Sequence, residues 1–264
     1  MAGVSDAFYL PTDDPDVFVA TPRTEGPWEP QTQHAGPPSA LLTRTIERLP
    51  SSVAGASQLT RLTMEILGPI RTGDVRVRAR VVRPGRAVEL VEAELESDGR
   101  IAMRTAAWRI RTAPVDLPAL APVPTAPPIP DTETPFTDSA WRAGYLGAIE
   151  FRSIHGHFER PGPAAGWFRL KHPLVPDEEP SPTQRLMAVA DSGNGLSSQL
   201  DFGKWWFINT ELTVHLVRPP VGEWVYMDAR STLDSSGVGL AETELYDSHG
   251  RVGRGAQTLM VGPR

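Results

Sequence analysis

Phe207-Ile-Asn-Thr-Glu-Leu-Thr-Val-His-Leu-Val-Arg-Pro219 alternates in the manner of a β-strand. Ile208, Thr210, Leu212, Val214 and Leu216 fall on one face, and Asn209, Glu211, Thr213 and His215 on the other. Roughly 150 residues upstream the chain reads Leu59-Thr-Arg-Leu-Thr-Met-Glu-Ile-Leu-Gly-Pro69. Superposed at that offset, Thr60, Leu62, Thr63 and Pro69 meet Thr210, Leu212, Thr213 and Pro219. The match runs on without gaps through Val75 and Val225, Ala79-Arg80 and Ala229-Arg230, and Val88 and Val238. Leu90, Glu92, Glu94 and Leu95 then meet Leu240, Glu242, Glu244 and Leu245. About a dozen coincidences in some forty positions exceed chance, and the period is far too long for a solenoid. The chain is read as one domain written twice.

Working outward from the repeat, each copy carries the same order of elements. Phe8-Tyr9-Leu10 and Val17-Phe18-Val19 are short apolar pieces between Pro and Asp clusters, predicted as two short strands. Pro37 and Pro38 just inside a run with Leu42, Ile46 and Leu49 on one side predict a helix over 37–49. Strands follow at 58–67, 74–83, 87–97 and 100–111, joined by turn chemistry at Arg71-Thr-Gly-Asp74, Arg83-Pro-Gly-Arg86 and Ser97-Asp-Gly-Arg100. Asp98-Gly99 is the strongest hairpin signal. In the second copy a hairpin is expected from 148–160 and 165–171 about Pro161-Gly-Pro163, with a helix over 183–200. Strands at 206–217, 223–233, 237–247 and 251–262 complete it. Between the copies, residues 113–135 are dominated by proline and alanine and read as an extended linker. The division is therefore 1–112, linker 113–135, and 136–264, each domain an α+β layer of one helix against a curved antiparallel meander.

Composition narrows the function. Of 264 residues, 40% are hydrophobic and 22% charged, an ordinary globular balance with room for two domains. A formal net charge of −6 argues against nucleic acid as the main partner. The absence of cysteine removes disulfides, thiol catalysis and cysteine metal sites, and fits a cytoplasmic protein. Met1 to Phe8 carry neither a basic n-region nor an apolar run, so no signal peptide is expected. No stretch approaches the ~20 apolar residues that span a bilayer, so a soluble protein without a membrane partner is expected. No Gly-x-Ser-x-Gly elbow, phosphate-binding Gly-x-x-x-x-Gly-Lys or complete Gly-x-Gly-x-x-Gly is present. No cofactor is expected.

Several short motifs, in order and spacing, carry a resemblance to a known family. These are His34-Ala-Gly-Pro-Pro-Ser-Ala-Leu-Leu42 opening the first helix, Asp191 in the second, Asn209 ahead of Arg218-Pro219, and Gln257 in the final strand. With the duplicated helix-on-meander layout, the chain resembles the double hot-dog acyl-CoA thioesterases of the thioesterase II type, over nearly its whole length. The resemblance implies thioester hydrolysis on acyl-CoA or a similar acyl-thiol. It also implies a water held by an aspartate, a hydroxyl or amide side chain, and a glutamine. Asp191 and Gln257 match the first and last of these. The family's middle threonine is replaced by Asn209, with Thr210 adjacent.

The residues themselves support two kinds of reading. Asp191 follows the apolar Leu186-Met-Ala-Val-Ala190 and precedes Gly193 and Gly195, so it is either a helix-break aspartate or a general base aimed into the seam between the copies. Gln257 shares its face with Leu259 and Val261, which makes it a buried amide in need of partners or the group that positions water. Asn209 lies on the polar side of its strand, and its counterpart in the first copy is Leu59, as expected if one of two pseudo-equivalent sites keeps its chemistry. His34 is a pocket-lining candidate, and the backbone N–H groups of Gly36 and Ser39 are candidate oxyanion donors at a helix start. Trp205, Trp206 and Phe207, beside Trp28 and Trp224, are either core or the lining of an acyl channel. His155 and His157 sit on one side of a strand at a metal-like spacing, but no acid cluster completes a site, and no metal is expected. The two halves are expected to pack as a pseudo-dimer with the pocket at their seam, and exposed sheet edges and faces invite a homodimer. The rival readings are an acyl-thioester binding protein without turnover and a hot-dog enoyl-thioester hydratase or dehydratase. The second lacks support, because Asp191-Ser-Gly-Asn194 has no accompanying histidine.

Overall fold

A computed structural model describes residues 6–264, so most of Met1 to Phe8, where the signal-peptide expectation was read, lies outside the described residues. In the first half, strands β1 (Tyr9–Pro11) and β2 (Val17–Ala20) precede helix α1 (Gly36–Arg48). Strands β3 (Ser57–Ile66), β4 (Gly73–Arg83), β5 (Val88–Ser97) and β6 (Arg100–Arg111) follow. The second half has a single-turn helix α2 (Gly144–Gly147), strands β7 (Ile149–His157) and β8 (Arg160–Leu170), and helices α3 (Pro182–Ala190) and α4 (Gly193–Leu196). It closes with β9 (Trp205–Asn209), β10 (Glu211–Leu216), β11 (Val225–Leu233), β12 (Val238–Asp247) and β13 (Gly250–Pro263). Residues 112–130 form neither helix nor strand.

All the strands join one antiparallel sheet in the order β1-β2-β4-β5-β6-β3-β10-β13-β12-β11-β8-β7, with β9 also on β13. The order is palindromic about the β3–β10 pair, where Thr63 stands directly opposite Thr213. These are the residues that the repeat superposes, 150 positions apart, and their hydroxyls approach to 3.3 Å. A pseudo-two-fold axis therefore passes between them. Strand β5 buries every second residue, Val91, Ala93, Leu95 and the ion-paired Glu89 among them, while Glu92, Glu94 and Glu96 lie on the opposite face. Leu41, Leu42 and Ile46 of α1 are fully buried in the same core, each contributing about 1.5–3 kcal/mol on the usual area scale. Helices α1 and α3 touch at backbone level: a Cβ on Gly36 would lie 2.1 Å from the Ala188 carbonyl oxygen. Asp98 and Gly99 both adopt positive φ (51° and 71°), as a two-residue hairpin turn requires. No helix among the described residues is long and apolar enough to cross a membrane.

Four sequence expectations need correction. The helix expected over 183–200 is two helices, broken at Asp191 and Ser192. The break brings Gly193 against the sheet, where a Cβ would meet the Thr243 hydroxyl at 2.4 Å and Gln257 Oε1 at 2.9 Å. The strand expected over 206–217 is interrupted at Thr210. Asn209 pairs with Leu259 but Thr213 with Ala256, one residue out of step, so a bulge switches the buried face from Phe207 and Asn209 to Leu212, Val214 and Leu216. Asn209 is therefore buried rather than on a polar face, and Thr210 is exposed. The same bulge lies between Leu59 and Arg61 in the first half, which gives the Thr60–Thr210 coincidence a structural cause. The hairpin of β7 and β8 turns at Phe158-Glu159, with His157 opposite Arg160. Pro161 and Pro163 lie within β8, beyond the reach of β11, whose pairing begins at Ala164, so their missing N–H groups break no ladder there. Gly156, at φ 68°, bulges β7. His157 consequently sits among Phe136, Phe151 and Phe158, while His155 is exposed, and the two do not share a face.

Candidate active site

The helix break after α3 leaves Asp191 as that helix's C-cap, 3% exposed. Two carboxamides from the sheet converge on one of its oxygens: Asn209 Nδ2 donates to Oδ1 at 2.8 Å and Gln257 Nε2 at 3.2 Å. Gln257 Nε2 also reaches the Asp191 carbonyl oxygen at 3.0 Å, and its Oε1 accepts the Asn194 backbone N–H at 3.0 Å. Asn194 donates its own side-chain amide to the Phe207 carbonyl oxygen at 3.0 Å. Strand β13 and the β9 bulge thus orient the amides, and the absent side chain at Gly193 lets α4 come close enough to fix Gln257. The amide nitrogens of Asn194, Asn209 and Gln257 are all hydrogen-bonded, as buried donors must be.

The other carboxylate oxygen faces the first half. His34 Nδ1 lies 3.3 Å from Asp191 Oδ2. The same Nδ1 accepts the Gly36 backbone N–H at 3.0 Å, so it carries a lone pair and not a proton in this state. Burial pushes the His34 imidazolium below its ordinary range, and Asp191 pulls it only partly back. The ring is flat against Tyr145, with centroids 3.9 Å apart. Tyr145 bonds the Ala188 carbonyl oxygen (2.9 Å) and the Ser192 hydroxyl (2.8 Å), and burial raises its phenol so that it stays protonated. Two acceptor atoms, Oδ2 and Nδ1, therefore face one another across a gap that a water or a proton can bridge. One carboxylate oxygen is thus fixed by two donors, and the other faces an acceptor.

The sequence candidates divide cleanly. Asp191, Asn209, Gln257 and His34 come together. Thr210 is exposed at the bulge and makes no hydrogen bond to that group, because the bulge turns its neighbour inward instead. Gly36 packs at the site, but its N–H is held by His34, and the Ser39 N–H and hydroxyl are both taken by the Ala35 carbonyl oxygen (3.0 and 2.7 Å). Neither is a free oxyanion donor in this state. Trp28 stacks on Phe202 (4.2 Å) and meets Phe207 edge-on (4.9 Å). Trp206 is half-buried beside Arg264, its indole N–H on the Pro263 carbonyl oxygen. Trp224 is elsewhere, under Arg152 and Arg169. A cavity of about 680 Å³ is lined by Trp141, Phe158, Leu200 and Phe202 together with Asp138, Glu159, Asp201 and Arg264. Phe202 and Trp28 connect its wall to Phe207, two residues before Asn209. Sequence reading missed Tyr145, Ser192 and the structural role of Asn194. Tyr145 lies in a segment with no periodicity, and nothing in the sequence marks it. Asn194 had a signal, a helix-interior Asn between two glycines.

His34 sets an expected pH dependence. An imidazole with a depressed folded value means that the unfolded chain binds the extra proton first, so stability is full above about pH 6.5 and falls as pH drops below it. His157 and His172, also lowered by burial, act in the same direction. Urea midpoints measured from pH 8 to pH 5 are expected to fall on the acid side, and less steeply in His34→Gln. A flat profile in the wild-type protein would contradict the neutral buried imidazole.

Comparison with known proteins bears on the fold and the family. Residues 24–110 match the acyl-CoA thioesterase N-terminal domain and residues 119–261 the acyl-CoA thioesterase C-terminal domain. A search among curated proteins finds no match. Among solved structures, a conserved protein of unknown function with hot-dog fold from Alicyclobacillus acidocaldarius superposes with a TM-score of 0.71 at 16% identity, covering 98% of this chain and 97% of that one. The tesB protein of Mycobacterium avium subsp. paratuberculosis gives 0.65 at 16% identity, covering 94% and 93%. The acyl-CoA thioesterase II TesB2 of Mycobacterium marinum gives 0.64 at 13%, covering 94% and 92%. At such identities the superpositions show the shared fold, and the two domain matches carry the family. With an N-terminal and a C-terminal thioesterase domain fused about one pseudo-dyad, the chain belongs to the acyl-CoA thioesterase family and is a double hot-dog thioester hydrolase.

Proposed function

We propose that this protein hydrolyses the thioester of a fatty acyl-CoA or a related acyl-thiol, with Asp191 as the general base. The observation that carries the reading is the buried Asp191 carboxylate, one oxygen fixed by two carboxamides and the other open toward His34 of the opposite half. Because Asn209 and Gln257 bond the acid directly, the attacking water belongs on Oδ2 and not at the centre of the three side chains. Water oxygen adds to the thioester carbonyl carbon as its proton passes to Oδ2, where His34 Nδ1 is a second acceptor 3.3 Å away. A proton settling on Nδ1 displaces the Gly36 N–H, which then becomes a donor for the oxyanion formed in the same step. Collapse of the tetrahedral adduct expels the thiolate, which takes the proton back and leaves acid and thiol. The aromatic cavity beside Phe202 takes the apolar acyl chain.

The test is thiol release from straight-chain acyl-CoAs of increasing length. Turnover is expected with at least one of them. Asn209→Leu, which installs the residue of the first copy, is expected to lower kcat about 10- to 100-fold. Tight binding of every acyl-CoA with no thiol released would replace hydrolysis by the binding-only reading.

A further inference from the structure

The pseudo-dyad creates two seams, and only one holds Asp191. At the other, the corresponding elements also converge. Near the end of α1, Glu47 reaches the start of α3, just as Asp191 at the end of α3 reaches His34 before α1. Glu47 accepts the Ser181 hydroxyl at 2.9 Å on each oxygen and Gln184 Nε2 at 2.6 Å. Burial raises its carboxyl, while Gln184, Ser181 and Arg109 pull it back. Beside it is a cavity of about 410 Å³, walled by Glu47, Ser57, Gln58, Leu59, Arg109 and Thr183, within the roughly 300–1,000 Å³ of small-molecule pockets.

The catalytic amides are missing at this seam. Leu59 pairs with Arg109 where Asn209 pairs with Leu259, so Leu59 occupies the position of Asn209. Leu62 pairs with Ala107, and the same register in the second half sets Leu212 at Gln257. An acyl-thiol here would meet no positioned water.

The charge balance decides what the cavity suits. The two terminal nitrogens of Arg109 are committed, one to Glu89 and one to the Ile46 carbonyl oxygen (2.8 Å). The fully buried Glu89 cancels the Arg109 charge, and Glu47 remains. Among the described residues that line the cavity, no free cation is left for a phosphate or a carboxylate. What the walls offer is an anionic acceptor, side-chain hydroxyls, one free amide at Gln58, and apolar surface from Leu49, Leu59 and Pro219. That set matches a neutral chain bearing amide N–H groups and methylenes.

We propose that the second seam is a binding site for the neutral, amide-bearing pantetheine arm of an acyl-thiol, which it holds without hydrolysing. The inference rests on the reading that the first seam takes an acyl-thiol. Each chain then carries one hydrolytic and one holding site of related shape, and the second can keep substrate close to the first.

The experiment titrates the full-length protein calorimetrically with S-octyl-pantetheine, a thioether that cannot be hydrolysed and carries no phosphate. Two equivalents per chain are expected. Ser57→Trp, which fills the cavity, is expected to leave one. Glu47→Gln keeps the side chain's size and is expected to weaken the second equivalent about tenfold by removing a charged acceptor, which keeps the test informative if the tryptophan variant folds poorly. A single equivalent unaffected by Glu47→Gln, or no binding, overturns the proposal. Intact thiol release with a single equivalent would sink this inference and spare the hydrolytic reading. Two equivalents with no thiol release from any acyl-CoA would do the reverse.

Discussion

Asp191→Asn is expected to lower kcat for thioester hydrolysis by about 10²- to 10⁴-fold, the usual span for a general base, with no loss of stability. The two halves of that expectation come from the two carboxylate oxygens. Oδ1 accepts from Asn209 and Gln257, and an asparagine carbonyl oxygen accepts the same two donors. Oδ2 faces the unprotonated Nδ1 of His34. An asparagine NH₂ placed there donates where the wild-type carboxylate only opposes one lone pair with another. The variant therefore keeps its buried network, and its thermal midpoint should match or exceed that of the wild type. It cannot take a proton from water. Thiol release and thermal unfolding, followed side by side, check both parts. A variant that retains a third or more of wild-type kcat would remove Asp191 from the chemistry.

The largest expected effect on stability lies away from the site. Glu89 is fully buried, and Arg109, itself nearly so, donates to it and to the Ile46 carbonyl oxygen at the end of α1. Burial alone would raise the Glu89 carboxyl, but hydrogen bonds from Ser52 and Ser51 and the Arg109 charge bring it below the ordinary range. Arg109→Met leaves that carboxylate with its serine donors and no counter-charge, and strips the helix end of a donor. Removing one member of a buried ion pair costs about 3–5 kcal/mol, and urea unfolding should show it as a lower midpoint at unchanged slope. Adding Glu89→Gln should restore part of the loss, because the uncompensated charge is gone. A loss below about 1 kcal/mol in the single variant would mean that the serines alone hold Glu89.

How far the sequence carries can be judged residue by residue. Alternation in β5 and β12, the Asp98-Gly99 turn, and the prolines opening α1 are local signals, and the structure forms those elements where the signals lie. The duplication is also a property of the string alone, and the palindromic sheet order reflects it. Asp191 and Gln257 were marked by being polar in apolar surroundings. Asn209 was marked by its mismatch with Leu59, yet its burial was hidden, because the period-two pattern is silent about which strand gains an extra residue. The break of the second helix was equally hidden: two glycines lower helix propensity, but only the approach of Gln257 requires one of them.

The sequence by itself determined the α+β fold class and the doubling, since these depend on periodicity, and it marked Asp191 as a candidate by residue type. Tertiary structure decided that Thr210 faces solvent while Asn209 reaches Asp191, and that His34 of one half lies against Asp191 of the other. It also decided that the Gly36 N–H is taken by His34. Each of those depends on register between strands or helices far apart in the chain, and register is set by packing the whole sheet against α1 and α3, which no local pattern encodes.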